Sequence, residues 1–383
     1  MSLPDRTTDR LYDIGFFLVE AFASMEVTAV LVANARITAS LGLREELSSF
    51  ILNSYLYPLF AVMLLALGLS RWIARRIPPM PYFLAGLGAF AGGNLLCAHA
   101  PTPTLFFVGR AVMGVGGAVA FAGQLWTLSG FHYHRITRPL VWGEVGAALG
   151  VVAGPIVGAV FAHHGAESWR HFFTLNAGLG LLTAAFAYAS LRGRQSVAAT
   201  AAQDRDPRSG RRLLFTMTVW QVAVSVLIVG AEYFFSDHLQ NKAGKSPLFV
   251  GAMTVLASLG AVVGSLWAAR MEHALERLPA RAAAGLPIFA SGLGMGLASV
   301  SIYASIVKAS RPDQFLNRSM IYLIGMQVGN ALGVQAVGLS ELRHFGILPT
   351  ALMVAALPAL IVAGAWIWGY RPAPPLPQTD GSA

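Results

Sequence analysis

The sequence predicts an all-α integral membrane protein, with about 11–12 transmembrane helices arranged in two bundles. Three observations predict it. Charged residues make up 12% of the 383-residue chain, roughly half the share usual in soluble domains. Hydrophobic residues make up 55%, and the mean hydropathy is +0.60. Apolar runs of about 20 residues, enough to cross a hydrocarbon core, recur along the chain. They are broken once by a long polar stretch, GRQSVAATAAQDRDPRSGRR at 193–212.

In chain order the candidate spans are 11–35, 50–70, 80–99, 104–126, 141–163, 171–191, 213–235, 248–269, 284–307, 319–340 and 348–369. The first is too long and too polar for a cleaved signal peptide, so it reads as the first membrane helix. Cations gather in alternate loops. Arg6 and Arg10 precede the first span, Arg71, Arg75 and Arg76 follow the second, and Arg135 and Arg138 follow the fourth. Six arginines, from Arg192 to Arg212, follow the sixth, whereas the loop HAPTPT at 99–104 has neither Lys nor Arg. The positive-inside rule then places the N-terminus in the cytoplasm. This distribution also accounts for the net charge of +9 without a nucleic-acid partner. Cys97 is the single cysteine, which excludes a disulfide framework and a cysteine metal site.

Six spans before the polar stretch form an N-terminal bundle, 1–191, followed by a flexible cytoplasmic linker, 192–212. The C-terminal bundle covers 213–370, and the Pro-rich tail at 371–383 is expected to be disordered. Two bundles joined by a cytoplasmic loop suggest a secondary transporter with a midplane site. The second half poses a topological conflict. RMEHALERLPAR at 270–281 and KASRPDQFLNR at 308–318 are both basic, yet only one apolar run separates them. Either 308–318 is outside, or 284–307 re-enters, or a helix is missing from a twelve-span plan.

Charges inside spans are costly and usually face the bundle interior or water. Glu26 and Arg110 stand out because each lies several residues from an interface. Hydrocarbon burial favours the neutral form of a carboxyl and a nearby cation favours the charged form. A carboxyl balanced between them can load and release a proton; the alternative is a fixed pair that holds helices together. Glu20 and Arg36 are near enough to span ends to be solvated or to snorkel. Glu144 reads as an interfacial charge, and Glu232 either meets a cationic substrate or is solvated. Gly114, Gly150, Gly154 and Gly158 have a packing explanation, since small residues at a spacing near four let helices approach closely, and Pro155 bends its helix. Phe22, Met25, Tyr55, Met113, Trp126, Trp220, Phe234 and Met326 are candidates, with Glu232, for lining an adaptable substrate cavity. No residue set calls for a bound metal or a cofactor. His132, His134, His163 and His164 read as loop histidines.

Several stretches form an ordered set. LFFVGRAVMGVGGAV at 105–119 places an arginine before a glycine-rich run. GVVAGPIVGA at 150–159 fits G-x-x-x-G-P-x-x-G-G except at Ala159, and ESWRHFFTLN at 167–176 contains W-R-x-x-F-x-x-N. ASMEVTAVLVANARI at 23–37 puts Glu26 at the acidic position of L-D-x-T-x-x-x-x-A-x-P-x-I. FFSDHLQNKAGKSPLFVGA at 234–252 and MQVGNALGV at 326–334 continue the pattern in the second half. Together they resemble the major facilitator superfamily, specifically its drug:proton antiporter branch, usually of fourteen spans. LALGLSRWIARRI keeps the cations of the family's loop motif after span two but lacks its aspartate, and the branch's extra central spans are absent.

The resemblance implies a major-facilitator-type two-bundle fold and no enzyme activity. It implies Glu26 as proton carrier and Arg110 as its electrostatic partner, in a multi-pass antiporter of the cell inner membrane exporting hydrophobic or amphipathic small molecules. Protons, a small-molecule substrate and membrane lipid are the expected partners. Oligomeric state is open, with a monomer as the simplest reading. Two alternatives stay open: a carrier for one metabolite or metal chelate, and a degenerate scaffold or sensor that transports nothing.

Overall fold

In lipid no water is available to satisfy backbone N–H and C=O groups, so a spanning chain closes its hydrogen bonds within helices. The structure is a computed structural model and describes residues 6–44, 47–129, 137–192, 211–255, 302, 306, 315–343 and 347–369. Its N-terminal part contains α1 (Arg6–Ser40), α2 (Ser48–Gly68), α3 (Ser70–Arg76), α4 (Pro79–Ala98), α5 (Pro103–Ser129), α6 (Thr137–His164) and α7 (Trp169–Leu191). Then come α8 (Arg211–Asp237), a π-helical turn (His238–Lys242), a helical segment at 247–255, α9 (Phe315–Leu342) and α10 (Ile347–Gly369). Among the described residues, 8 helices are long and apolar enough to cross a membrane. Punctuation is local. Proline opens α4 and α5, where a missing N–H costs nothing, and Gly42, at φ 62°, turns the chain after α1.

Glycine rows set the helix pairs. On α6, Gly146, Gly150, Gly154 and Gly158 recur every fourth residue and face α1 at Phe17, Ala21, Met25 with Thr28, and Ala29. A Cβ at any of the four would collide with α1, so these two helices touch almost backbone to backbone. Antiparallel α4 and α5 meet the same way, through Gly86 against Ala120, Gly93 against Met113 and Gly109 against Cys97. Gly114 of α5 abuts the Tyr55 carbonyl of α2. α7 packs on both α1 and α4.

The C-terminal part repeats the device. Gly325, Gly329 and Gly333 on α9 face Thr218, Val222 and Val226 on α8 in rising order, so α8 and α9 are parallel, as α1 and α6 are. α10 lies against both. The parallel pair removes one of the three paths left open above, the one with 308–318 outside. With two crossings between them, 248–269 and 284–307, an alternating eleven-span path makes α8 and α9 antiparallel. Parallel helices need an odd number of crossings between them, which either a twelve-span plan or a re-entrant 284–307 supplies. Apart from 247–255, Ile302 and Ile306, those two spans lie outside the described residues, as do most of the 192–212 linker and the 371–383 tail.

The two parts meet at the end of the molecule that carries the 41–47 turn. Ser236 Oγ donates to the Leu31 carbonyl (3.0 Å) and Gln240 Nε2 to the Val32 carbonyl (2.9 Å), tying α8 to α1. Asn53 Nδ2 and the Tyr57 hydroxyl of α2 both donate to Gln335 Oε1 of α9, at 3.0 and 2.7 Å. Gly338 packs on Ser49, and Gly251 on Pro155 and Ala159.

Candidate functional site

Midway along α1, Glu26 points into the N-terminal bundle and is completely buried. One of its carboxylate oxygens, Oε1, is paired with Nη1 of Arg110 from α5, itself only 1% exposed. The other, Oε2, accepts a hydrogen bond from Asn176 Nδ2 of α7 at 2.6 Å. Arg110 is held from a third side as well. Its Nε donates to the Ile51 carbonyl of α2 at 3.0 Å, and the guanidinium lies 5.1 Å from the Tyr55 ring centroid and 5.9 Å from that of Phe173. The burial of this cation is therefore offset by an anion, a carbonyl and two aromatic faces.

Four helices contribute to the cluster because the glycine rows bring them within reach. Gly114 and Gly117 let α2 lie on α5, placing Ile51 and Tyr55 beside Arg110. The α1–α7 contact puts Asn176 opposite Glu26. Asn94, four residues after Phe90 and donating to its carbonyl at 3.0 Å, is a second fully buried amide on α4.

The residues expected to line one cavity do not share a surface. Phe22 stacks on Phe90 with ring centroids 4.6 Å apart. Met113 sulfur receives the Cys97 thiol at 3.7 Å, and Trp126 meets Tyr82 edge-on at 5.8 Å. All three are buried against α4 inside the N-terminal bundle. Each is thus taken up in packing between helices. Tyr55 belongs to the Arg110 cluster, and Met25 is buried on α1 beside Gly154. Trp220 is half-buried against the cluster of Met217, Ile302, Ile306 and Tyr322 on the C-terminal side. Glu232, Phe234 and Met326 are half-buried on α8 and α9, and the Phe234 ring stacks on His238.

Other charges find local uses. Glu20 accepts a 3.4 Å bond from Gln124, and Arg36 Nε donates to the Ala162 carbonyl at 3.0 Å. In the loop between α6 and α7, Glu167 takes Ser40 Oγ at 2.6 Å and pairs with Arg170. These two contacts, Ser40 first, hold its carboxyl below the usual range. Arg170 also caps the Ala98 and Ala100 carbonyls at 3.3 and 2.7 Å. The Glu144 side chain, His132 and His134 are outside the described residues. Among the described residues no three His, Cys, Asp or Glu side chains gather as a metal set.

Sequence reasoning assigned no role to Asn176, nor to the polar residues between the two parts: Asn34, Ser48, Asn53, Tyr57, Tyr233 and Gln335. Their signal was a lone amide or hydroxyl within an apolar run, which is as expensive to bury unpaired as a loop charge is cheap.

The same architecture occurs in known proteins. A solved bacterial homologue of the human lysosomal transporter Spinster, in an inward-facing and occupied conformation, superposes with a TM-score of 0.68 at 13% identity, covering 96% of this chain and 93% of that one. The multidrug resistance protein B homolog of Mycobacterium tuberculosis is 25% identical, the match covering 93% of this chain and 82% of the relative. Its alignment runs over 458 positions, more than this chain has residues, so the relative carries segments this chain lacks. The efflux pump aflT of Aspergillus parasiticus is 31% identical over 42% of this chain and 30% of its own length. The family model of the Major Facilitator Superfamily matches residues 16–305. A multi-pass helical chain with paired glycine rows, a buried charge cluster and this match is a membrane transporter, not an enzyme, and it belongs to the Major Facilitator Superfamily.

Proposed function

We propose that the protein exports hydrophobic or amphipathic small molecules by alternating access, driven by protons that load and leave Glu26. One observation carries the reading: a carboxylate fully buried at mid-helix, held by one cation and one neutral amide. The amide beside the carboxyl carries both a donor and an acceptor, so it can serve Glu26 with or without its proton, as a site that gains and loses a proton requires. Relatives named as multidrug resistance proteins and efflux pumps support export as the direction.

Two bundles, 1–191 and 213–370, rock about their shared face in this reading, with 192–212 as a cytoplasmic linker. With the N-terminus cytoplasmic, the hydrogen-bonded end at the 41–47 turn is the outer one, and opening it is the step that releases substrate outside. The substrate path runs between the bundles, where Trp220, Glu232, Phe234 and Met326 supply the adaptable surface. Protein in liposomes, with an imposed pH gradient and ethidium as probe, tests this. Wild type should move ethidium against its gradient, and Glu26→Gln, though less stable because Arg110 loses its anion, should lose that movement while still letting ethidium equilibrate down its gradient. Gradient-driven movement at the wild-type rate in Glu26→Gln would remove Glu26 from the coupling.

A further inference from the structure

Asn176 has an unusual balance of contacts. It is fully buried on α7, its Nδ2 serves Glu26, and its Oδ1 has no hydrogen-bond partner. An orphaned carbonyl oxygen in a buried site is costly and calls for an explanation. A primary amide carries its donor and its acceptor on one carbon, so half a turn about the terminal side-chain bond exchanges them. A carboxylate only accepts, while a protonated carboxyl also donates one O–H.

We propose that Asn176 is the positioning residue that adapts the site to both charge states of Glu26, by turning its amide when the carboxyl takes up a proton. With Glu26 charged, Nδ2 donates to Oε2, as in this structure. With the proton on Oε2, that N–H would face an O–H; the turned amide instead offers Oδ1, which gains the partner it lacks here. Arg110 stays on Oε1, fixed by the Ile51 carbonyl, so the amide is the group that changes.

The surroundings leave this task to Asn176. Ionisable groups near the carboxyl are Arg110 from α5, Tyr55 from α2, Cys97 from α4 and, on α1 itself, Glu20. α8, which meets α1 beyond Leu31, brings Tyr233 and Glu232. The stretches 172–183 of α7 and 145–162 of α6 hold no ionisable residue. Arg110 only donates, and the Tyr55 ring lies against the guanidinium.

The inference rests on Glu26 as the proton site, and its test separates the two claims. In pH-difference infrared spectra of the protein in liposomes, a carboxylic C=O band should titrate in wild type and vanish in Glu26→Gln. A side-chain amide C=O band should shift in step with it, and that shift should be lost in Asn176→Leu. In ethidium exchange, Asn176→Leu should displace the pH profile. Asn176→Thr, whose hydroxyl both donates and accepts, should bring the profile back toward wild type. A titrating Glu26 band without an amide response, or an unchanged profile in Asn176→Leu, overturns the role of Asn176 and leaves Glu26 as proton site. The absence of any titrating carboxyl band overturns both. The wild-type spectra need no variant to fold.

Discussion

The hydroxyl of Tyr233, on α8, lies 2.7 Å from that of Ser48, on α2, and receives Asn34 Nδ2 of α1 at 3.2 Å. One phenol thus joins three helices from both parts of the molecule, near the two hydrogen bonds that Asn53 and Tyr57 donate to Gln335. Hydrogen bonds between helices in membranes are each worth about 0.6 kcal/mol on average. Tyr233→Phe together with Gln335→Leu should therefore move the equilibrium away from closure at the 41–47 end by roughly ten- to a hundredfold. The measurement is thiol labelling of Ser49→Cys in a Cys97→Ser background. Labelling should rise in the double variant, and a rate matching the parent would show that these bonds do not hold the two parts together.

The glycine row on α6 makes a sharper mutational statement. Gly154→Val should cost at least the roughly 1–3 kcal/mol of an overpacked core, because Thr28 Oγ1 and the Met25 carbonyl occupy the space of a Cβ. Gly178→Ala and Gly92→Ala meet nothing within 4 Å and should melt like wild type. Thermal unfolding in detergent, followed by loss of the monodisperse chromatographic peak, compares the three.

Arg110 and Glu26 should be strongly non-additive. Removing one member of a buried ion pair costs about 3–5 kcal/mol, since the other charge is left behind. Arg110→Leu alone should be severely destabilised, and Glu26→Gln combined with Arg110→Leu should regain much of the loss in the same melting assay. Equal destabilisation in the double and the sum of singles would mean that the two side chains act independently.

One pH effect follows from the loop between α6 and α7. The Glu167 carboxyl is held below its ordinary value near 4.3 by Ser40 and Arg170. A depressed carboxyl adds stability above its ordinary value and loses it as pH falls through the depressed one. Because Glu167 is 56% exposed, the amount is under about 1 kcal/mol. Glu167→Gln should melt slightly below wild type at neutral pH, and the gap should close on acidification below about pH 4.

The legible parts of this molecule are the periodic and the chemical ones. Runs of apolar residues and arginine-bearing loops placed the six long helices of the first half, within two residues for α2, α4 and α7 and short at both ends of α1, because lipid imposes a length and a polarity on each. Glu26 and Arg110 stood out by cost alone. Span direction in the second half was not legible, since 270–281 and 308–318 are both basic and charge counting has no further handle. It took the parallel packing of Gly325, Gly329 and Gly333 on α8 to set the orientation. The aromatic residues were misleading for a related reason. A phenylalanine such as Phe22 suits a substrate cavity and a helix interface equally, and only the proximity of Phe90 decides.

α1 runs for 35 residues, about 52 Å, well beyond the roughly 30 Å of hydrocarbon it crosses. Near its start the Tyr12 hydroxyl meets Thr127 at 2.9 Å, at its middle is Glu26, and toward its end Asn34 reaches Tyr233. Tyr12 lies some 21 Å and Asn34 some 12 Å from Glu26 along the axis. Mechanically this is a beam with its pivot off centre. Any tilt of α1 about the charge cluster would displace its Tyr12 end further than its Asn34 end, and the backbone-close seam with α6 adds a second beam that stiffens it against bending.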